Sequence, residues 1–191
     1  MISQPSEIDP WRHRYIACSL LSDIWQRWCQ FCREVIISSC SGTVTRAGVR
    51  VPARAAVNDW KRIAYEANQA RFGRRLDPHR VVSAMRQEPT WGDQNTLLTV
   101  LPVLSPSNLP TLQAGFGLPV YGPKHIQCVR NACAHTNSET VSEVRRLFPY
   151  YYRGSFSHPI DILWWTEQHT AAPAIFFWIS ELETLADQVT R

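Results

Sequence analysis

The sequence predicts an all-α protein, a helical bundle that occupies residues 1–191 as a single domain. Apolar residues recur at steps of three and four in several segments, and proline and glycine mark the ends of those segments. No segment alternates between apolar and polar residues as a half-buried strand does. A chain of 191 residues, 45% of them hydrophobic, is long enough to bury one sizeable core.

The longest periodic segment runs from Asp9 to Cys40 and predicts one amphipathic helix. Asp9 is a suitable N-cap, and Pro10 takes the first helical position. The expected buried stripe consists of Ile16, Leu20, Ile24, Trp28, Phe31 and Val35. The helix should end near Ser41-Gly42, and a glycine-containing connector follows.

A second helix is expected from Pro52 to about Gly73. Its buried side would carry Ala56, Trp60, Ile63, Ala67 and Ala70. Asp77-Pro78 predicts the start of a short third helix that ends near Gln87. Residues 88–121 contain five prolines with glycines among them, so we expect a mostly irregular insertion there with one or two helical turns.

Regular structure is expected again from Gly122-Pro123, a helix-start signal. The remaining predicted helices span residues 122–136, 139–148, 159–169 and 174–189, with a tyrosine-rich linker at 149–156. Asn137 or Ser138 would end the first of these helices and cap the second. Together the elements predict a helical bundle with one insertion.

The charge of the chain is unevenly distributed. The formal net charge is +4, yet residues 46–86 contain ten basic residues against three acidic ones. The arginine guanidinium matches phosphate oxygens with a planar fork, so this arginine block predicts a surface that grips nucleic acid. The candidate RNA-binding residues within it are Arg54, Lys61, Arg62, Arg71, Arg74 and Arg75. The alternative is an ordinary solvated helical surface.

The six cysteines do not form a recognisable metal or redox motif in the sequence. Cys29 and Cys32 are separated by two residues inside the first helical pattern. They do not follow a strand, as a thioredoxin-like motif would. No second pair follows at zinc-ligand spacing. We therefore interpret the cysteines as small buried hydrophobic residues and expect neither a metal nor a cofactor.

Arg130 and His135 form the one motif that carries chemistry. Two other pairs share this spacing, but Pro78 interrupts Arg74–His79 and Gly154 interrupts Arg153–His158. Only Arg130 and His135 lie in a segment that predicts a continuous helix. At ~100° per residue, four polar residues of that helix share one face opposite its apolar stripe. They are Lys124, Gln127, Asn131 and His135.

The string Val129–His135, late in an all-α chain, resembles the HEPN domain, whose hallmark is Arg, often followed by Asn, and then His after four to six residues. The resemblance implies a helical bundle that forms a homodimer and acts as a metal-independent endoribonuclease, commonly in toxin–antitoxin or antiphage defence systems. Arg130 and His135 would be catalytic with Asn131 in support, and Lys124 and Gln127 would contact RNA. A two-fold axis would bring two such pairs into one cleft.

The chemistry of these residue types agrees with that activity. RNA carries its own nucleophile, the 2′-hydroxyl, so cleavage requires a group that moves protons and a cation that stabilises the phosphate. His135 suits the first task because the ordinary pKa of imidazole lies near neutrality. Arg130 suits the second through bidentate contact with phosphate oxygens. The expected product is a 2′,3′-cyclic phosphate.

Three alternatives stay open at this point. The chain could be an inactive HEPN-like scaffold or an RNA-binding subunit of a larger defence complex, or a DNA-binding regulator that uses the arginine block. His135 could instead cap its own helix while Arg130 makes a surface ion pair. Some HEPN toxins carry a tyrosine two residues after the histidine, where a partner enzyme attaches AMP, whereas Asn137 stands here. Met1–Arg14 lacks a secretory pattern, so a cytoplasmic protein is expected, with RNA and an antitoxin or defence protein as partners.

Overall fold

The computed structural model describes residues 10–79, 87–152 and 154–191, and it confirms the all-α class. The α-helices of these residues are α1 (Pro10–Ser41), α2 (Trp60–Arg71), α3 (Gln94–Leu104), α4 (Leu109–Phe116), α5 (Gly122–Ala134), α6 (Ser138–Arg145) and α7 (Ala174–Val189). Two 3₁₀ helices span Phe148–Tyr150 and Pro159–Trp164. The strands are β1 (Thr43–Val44), β2 (Arg50–Val51), β3 (Tyr151–Tyr152) and β4 (Thr166–Glu167), which pair antiparallel as β1 with β2 and β3 with β4.

The chain divides into two compact units, each built from two stretches of sequence. The first unit combines Met1–Trp25 with His125–Trp178. The second combines Gln26–Lys124 with Ile179–Arg191. Helices α1, α5 and α7 contribute residues to both units. The single domain over residues 1–191 stays a prediction.

The periodic segments at the two ends of the chain were predicted closely, whereas the middle of the chain was not. Helices α1 and α7 match their expected bounds within one or two residues. The second helix begins at Trp60 rather than at Pro52, and β1 and β2 form a short hairpin that the sequence pattern did not indicate. Residues 159–169 form a 3₁₀ helix followed by β4 rather than one α-helix. Most of the predicted third helix, residues 80–86, lies outside the described residues.

The predicted irregular insertion at residues 88–121 is wrong, because α3 and α4 occupy most of it. Pro110 lies in the first turn of α4, where a backbone N–H has no helical partner in any case. Pro102 lies inside α3, which therefore lacks one backbone hydrogen bond at that position. Ser105 ends α3 in the left-handed conformation at φ 48°. Helix α3 packs against both α2 and α4 in the second unit.

The buried stripe of α1 shares Trp28 with the predicted one and otherwise lies beside it. It consists of Leu21, Trp25, Trp28, Cys32, Ile36 and Cys40, which are spaced by three or four residues. The predicted residues Ile16 and Leu20 are instead 45% and 59% exposed. Two adjacent apolar stripes occur along this helix, and spacing alone does not decide which of them faces the core.

Helix α5 is fixed in the first unit by its apolar face and by a buried polar cluster. Ile126, Val129 and Ala132 are fully buried. His125, at the start of this face, shares a hydrogen bond of 2.6 Å between its Nδ1 atom and the Tyr151 hydroxyl. That hydroxyl also accepts a hydrogen bond of 2.7 Å from Nε1 of Trp178. The rotation of α5 about its axis is therefore set by buried contacts at every turn.

A buried charge cluster organises the second unit. The Glu66 carboxylate accepts from Arg54 Nη1 and from Arg62 Nε, each at 2.7 Å. The three side chains are only 7%, 3% and 9% exposed, in that order. Arg54 also donates to the Leu104 and Val57 carbonyl oxygens at 2.8 and 2.7 Å, so the loop before α2 is tied to the end of α3. Buried guanidinium groups require such partners because an unpaired buried charge is costly.

We predict that Glu66→Gln destabilises the protein by about 3–5 kcal/mol, because it leaves two buried guanidinium groups without a carboxylate. Urea denaturation measures the free energy of unfolding. The matched control is Asp187→Asn, which removes a surface carboxylate paired with Arg46 and Arg191 at 3.0 and 2.6 Å and should cost less than about 1 kcal/mol. Equal losses for the two variants would contradict a special role for the buried cluster.

Candidate functional site

Arg130 and Asn131 lie on helix α5 in the first unit, and His135 follows directly after the helix ends. The opposite face of α5 is buried through Ile126 and Val129, so the polar face cannot turn inward. Arg130 and Asn131 are half-buried, whereas His135 is exposed. The structure therefore places two of the three predicted catalytic residues on the helix and the third at its end.

The Arg130 guanidinium contacts neutral partners. Its Nη1 atom donates to Oδ1 of Asn131 at 3.3 Å, and its Nε atom lies 3.5 Å from the Ser22 hydroxyl of α1. Within residues 10–79, 87–152 and 154–191 no carboxylate lies at ion-pair distance from it, so the alternative of a surface ion pair is not realised there. The positive charge of Arg130 is thus held in place without being neutralised, which suits a group that binds phosphate.

His135 lies one residue beyond the end of α5, not inside the helix as the sequence predicted. Its backbone N–H donates to the Asn131 carbonyl oxygen at 2.8 Å, and its own carbonyl accepts from the Thr140 hydroxyl at 2.7 Å. Both main-chain groups are fixed while the ring is exposed. Among the described residues, no side chain hydrogen-bonds to the ring, which leaves both of its nitrogen atoms available to a substrate.

The short connection to α6 supports this position. Asn137 caps α6, as expected, and its Oδ1 atom accepts from the Thr140 N–H at 2.9 Å. The Thr140 hydroxyl in turn accepts from the Asn137 N–H at 3.2 Å. Thr140 therefore serves the cap and the His135 carbonyl together, and this links the chain after α5 to the start of α6.

The two other polar residues of the predicted face differ in setting. Gln127 is half-buried, and its Oε1 atom is buried with no hydrogen-bond partner among the described residues. Lys124 is exposed and belongs to the second unit. The Gln127 Oε1 atom is therefore a desolvated acceptor inside the protein and does not belong to the accessible polar face.

The arginine block, which lies in the second unit, is not one continuous basic surface. Arg54 and Arg62 are buried in the cluster around Glu66, so their assignment to an RNA-binding surface is wrong. Lys61, Arg74 and Arg75 are exposed. Arg71 and Arg74 both stack on the Phe72 ring, with their guanidinium carbons 4.3 and 4.7 Å from its centroid. The remaining candidates lie at two ends of α2: Lys61 in its first turn, and Arg71, Arg74 and Arg75 ~15 Å away at its last residue and in the loop that follows.

The structure also brings together a group that sequence spacing did not reveal. Cys18 of α1, Cys133 of α5 and His158 each offer a potential ligand atom within 4.8 Å of the others. All three side chains are half-buried, and all belong to the first unit. Their positions are far apart in the sequence, so no ligand-spacing motif could have found them. Cys32 and Cys40 are buried instead, and burial raises the pKa of Cys40 to about 11, as expected for a structural thiol.

The first unit has an apolar cavity of about 670 Å³ and several exposed apolar side chains near the start of α1. The cavity is lined mainly by aliphatic and aromatic side chains, with Arg14 and Asp161 among them. Trp11, Tyr15, Ile16 and Leu20 of α1 are exposed. The surplus aromatic residues near the end of the chain are divided: Trp164 and Phe176 are exposed, whereas Trp165 and Trp178 are buried.

No protein-family model, curated protein or solved structure matches this chain. Among the described residues, no helix combines the length and the apolar character that crossing a membrane requires. The site must therefore be interpreted from its own geometry.

We predict that Thr140→Val destabilises the protein by about 1 kcal/mol, because it removes a capping group and the hydrogen bond to the His135 carbonyl while preserving side-chain shape. Urea denaturation gives the free energy, and hydrogen exchange should accelerate in the chain after Ala134. Thr184→Val is the control, since its hydroxyl only donates back to the Ser180 carbonyl within α7 at 2.8 Å. An unchanged exchange rate after Ala134 would show that Thr140 does not hold this connection.

Proposed function

We propose that the chain is a metal-independent endoribonuclease that acts as a homodimer, with Arg130 and His135 as its catalytic residues. The observation that carries the proposal is the pairing of two groups. The Arg130 guanidinium hydrogen-bonds to Asn131 and Ser22 and has no carboxylate partner among the described residues, and the His135 ring is exposed to solvent just beyond the end of the same helix. These are the two functional groups that cleavage of RNA by its own 2′-hydroxyl needs.

The reaction follows from the properties of the two side chains. Neutral imidazole of His135 accepts the proton of the 2′-hydroxyl, and the 2′-oxygen attacks the adjacent phosphorus. Arg130 stabilises the negative charge that gathers on the phosphate oxygens. The bond to the 5′-oxygen breaks, and an imidazolium returns a proton to that leaving oxygen. The products are a 2′,3′-cyclic phosphate and a free 5′-hydroxyl.

Asn131 and Gln127 have supporting roles in this proposal. The Asn131 carbonyl oxygen orients Arg130, and its amide group remains able to donate to a phosphate or sugar oxygen. The exposed part of the half-buried Gln127 side chain would contact the RNA, whereas its Oε1 atom is buried and out of reach of the substrate. Both groups therefore position the substrate rather than move its protons.

A homodimer is supported by exposed apolar surface on α1 of the first unit. Ile16 and Leu20 are 45% and 59% exposed and stand one helical turn apart on the same side of α1. Ser22, which contacts Arg130, lies ~200° around the helix from Leu20. In this proposal Ile16 and Leu20 are buried against a second copy, and the two-fold axis brings two His135 rings into one cleft, one as base and one as acid.

The exposed basic residues of the second unit would supply contacts of their own to RNA phosphates. Lys61, Arg74 and Arg75 are exposed, and Phe72 offers an aromatic face between two arginines. Lys124 would add a further phosphate contact. We place the enzyme in a cytoplasmic toxin or antiphage defence system, where a partner protein controls it, and an inactive scaffold of such a system is the competing assignment.

We predict that Arg130→Ala and His135→Ala each slow cleavage of single-stranded RNA or tRNA by about 10²–10⁴-fold, because each removes a group that acts in the transition state. Cleavage is followed on denaturing gels in reactions with and without EDTA, and the 3′ ends are tested for a cyclic phosphate. Arg145→Ala and His169→Ala are the controls, since both residues are exposed and lie outside the site.

Wild-type rates for His135→Ala would overturn the assigned site. If the wild-type protein itself cleaves no RNA but co-purifies with a stable partner, the scaffold assignment replaces the nuclease.

We predict that a mixture of Arg130→Ala and His135→Ala subunits recovers part of the activity that each variant lacks. Each mixed dimer keeps one Arg130 and one His135 in the shared cleft, although it lacks the second His135, and the cleavage rate of the mixture measures the recovery.

We predict that Leu20→Lys lowers both the mass in solution and the cleavage rate, since a lysine disrupts an apolar contact. Val57→Lys is the control, because Val57 is similarly exposed but lies outside α1. A fully active Leu20→Lys monomer would contradict the dimeric site.

A further inference from the structure

Three side chains from distant parts of the sequence meet in the first unit. Cys18 lies on α1, Cys133 lies on α5, and His158 precedes the 3₁₀ helix Pro159–Trp164. Their ligand atoms, two sulfurs and one ring nitrogen, lie within 4.8 Å of one another. We propose that Cys18, Cys133 and His158 form a zinc site that joins these three elements.

The donor set favours zinc over the hard cations. Ca²⁺ and Mg²⁺ require oxygen ligands, whereas thiolate sulfur and imidazole nitrogen are the ligands of structural and catalytic Zn²⁺. In a tetrahedral site with Zn–S bonds of ~2.3 Å, neighbouring sulfur atoms stand ~3.8 Å apart. The observed limit of 4.8 Å exceeds that spacing by about 1 Å, a difference that side-chain rotation can close.

The cluster has a supporting network that orients its members. The Asp161 carboxylate accepts from the backbone N–H groups of Ser157 and His158, each at 2.8 Å. Asp161 also lies 3.6 Å from Arg14, which stands one turn before Cys18 on α1 and hydrogen-bonds to the Ser157 hydroxyl. The turn that carries His158 is thus tied to the helix that carries Cys18. Zinc ligands are commonly fixed by such outer hydrogen bonds.

Zinc binding would release protons from the cluster, because a thiol must become a thiolate to bind the ion. Burial raises the pKa of Cys133 and of Cys18, so the empty cluster holds two thiols. One Zn²⁺ replaces the two thiol protons and is bound by two thiolates and the neutral imidazole. In this structure the Ile160 N–H donates to Nδ1 of His158 at 3.2 Å. Zinc binding would break this hydrogen bond. Nδ1 then either binds the ion itself or carries the ring proton while the other ring nitrogen binds the ion.

The described residues supply three protein ligands, so one coordination position of a tetrahedral ion is left to a further ligand. Three protein ligands occupy three corners of a tetrahedron, and the half-buried position of the cluster admits a water molecule to the fourth. Asp161 already accepts from two backbone N–H groups and the Ser157 hydroxyl, so it acts as an outer partner. The ion would clamp α1, the last turn of α5 and the turn at His158 to one another.

The test measures zinc on the whole protein after it has been stripped with a chelator and kept reduced. We expect one Zn²⁺ per chain by equilibrium dialysis, a thiolate-to-metal charge-transfer band with Co²⁺, and a higher melting temperature in zinc. Cys18→Ser, Cys133→Ser and His158→Asn should each weaken zinc binding at least tenfold, and asparagine retains a side chain able to cap Pro159–Trp164. Cys29→Ser, a half-buried cysteine outside the cluster, should bind as the wild type does.

Undiminished zinc binding by folded Cys18→Ser and Cys133→Ser would overturn the proposal, as would the absence of binding to the stripped wild type. Circular dichroism establishes that each variant is folded, and His158→Asn gives a readout that does not depend on thiol oxidation. Zinc content is also measured on Arg130→Ala and His135→Ala, which should bind one ion. A failure of the nuclease assignment therefore leaves this result unaffected.

Discussion

Burial of one face of α5 is the constraint on which the candidate site depends. Ile126, Val129 and Ala132 are fully buried, and the hydrogen bonds among His125, Tyr151 and Trp178 fix the start of that face in the first unit. If α5 rotated about its axis, Asn131 would become buried and the apolar side chains of Ile126 and Val129 would become exposed, and both changes are unfavourable. The polar face is therefore held outward by the hydrophobic effect rather than by the polar residues themselves.

The arginine block shows why composition alone does not locate a binding surface. Arg54 and Arg62 contribute to the local positive charge of the sequence, yet both are buried against Glu66. Two guanidinium groups around one carboxylate retain a net positive charge in the interior, which is tolerated because Arg54 and Arg62 also donate to backbone carbonyls. Sequence counting treats such arginines as equal to the exposed Arg74 and Arg75. The structure is needed to distinguish arginines that are buried against a carboxylate from exposed arginines that can bind a phosphate.

The sequence predicted α1 and α7 because long amphipathic periods with clear ends admit few other structures. It failed for residues 88–121 because Pro110 stands in the first turn of a helix, which proline tolerates, and because α3 forms around Pro102 although an interior proline removes one backbone hydrogen bond. The sequence singles out Arg130 and His135 as candidates because they lie only five residues apart, on α5 and just after its end. It could not locate Cys18, Cys133 and His158, since long-range packing alone brings them together.

Both candidate sites include residues of α5, and each of them contacts α1 at a different position. Arg130 reaches Ser22, whereas Cys133 meets Cys18, so increasing residue number on α5 pairs with decreasing residue number on α1. The helices therefore run antiparallel along this contact, and one stretch of α1 supports both groups. At ~100° per residue, Cys133 points ~160° away from Asn131 on α5. An ion held by Cys133 would thus stabilise the packing behind the polar face, while that face remains open to a substrate.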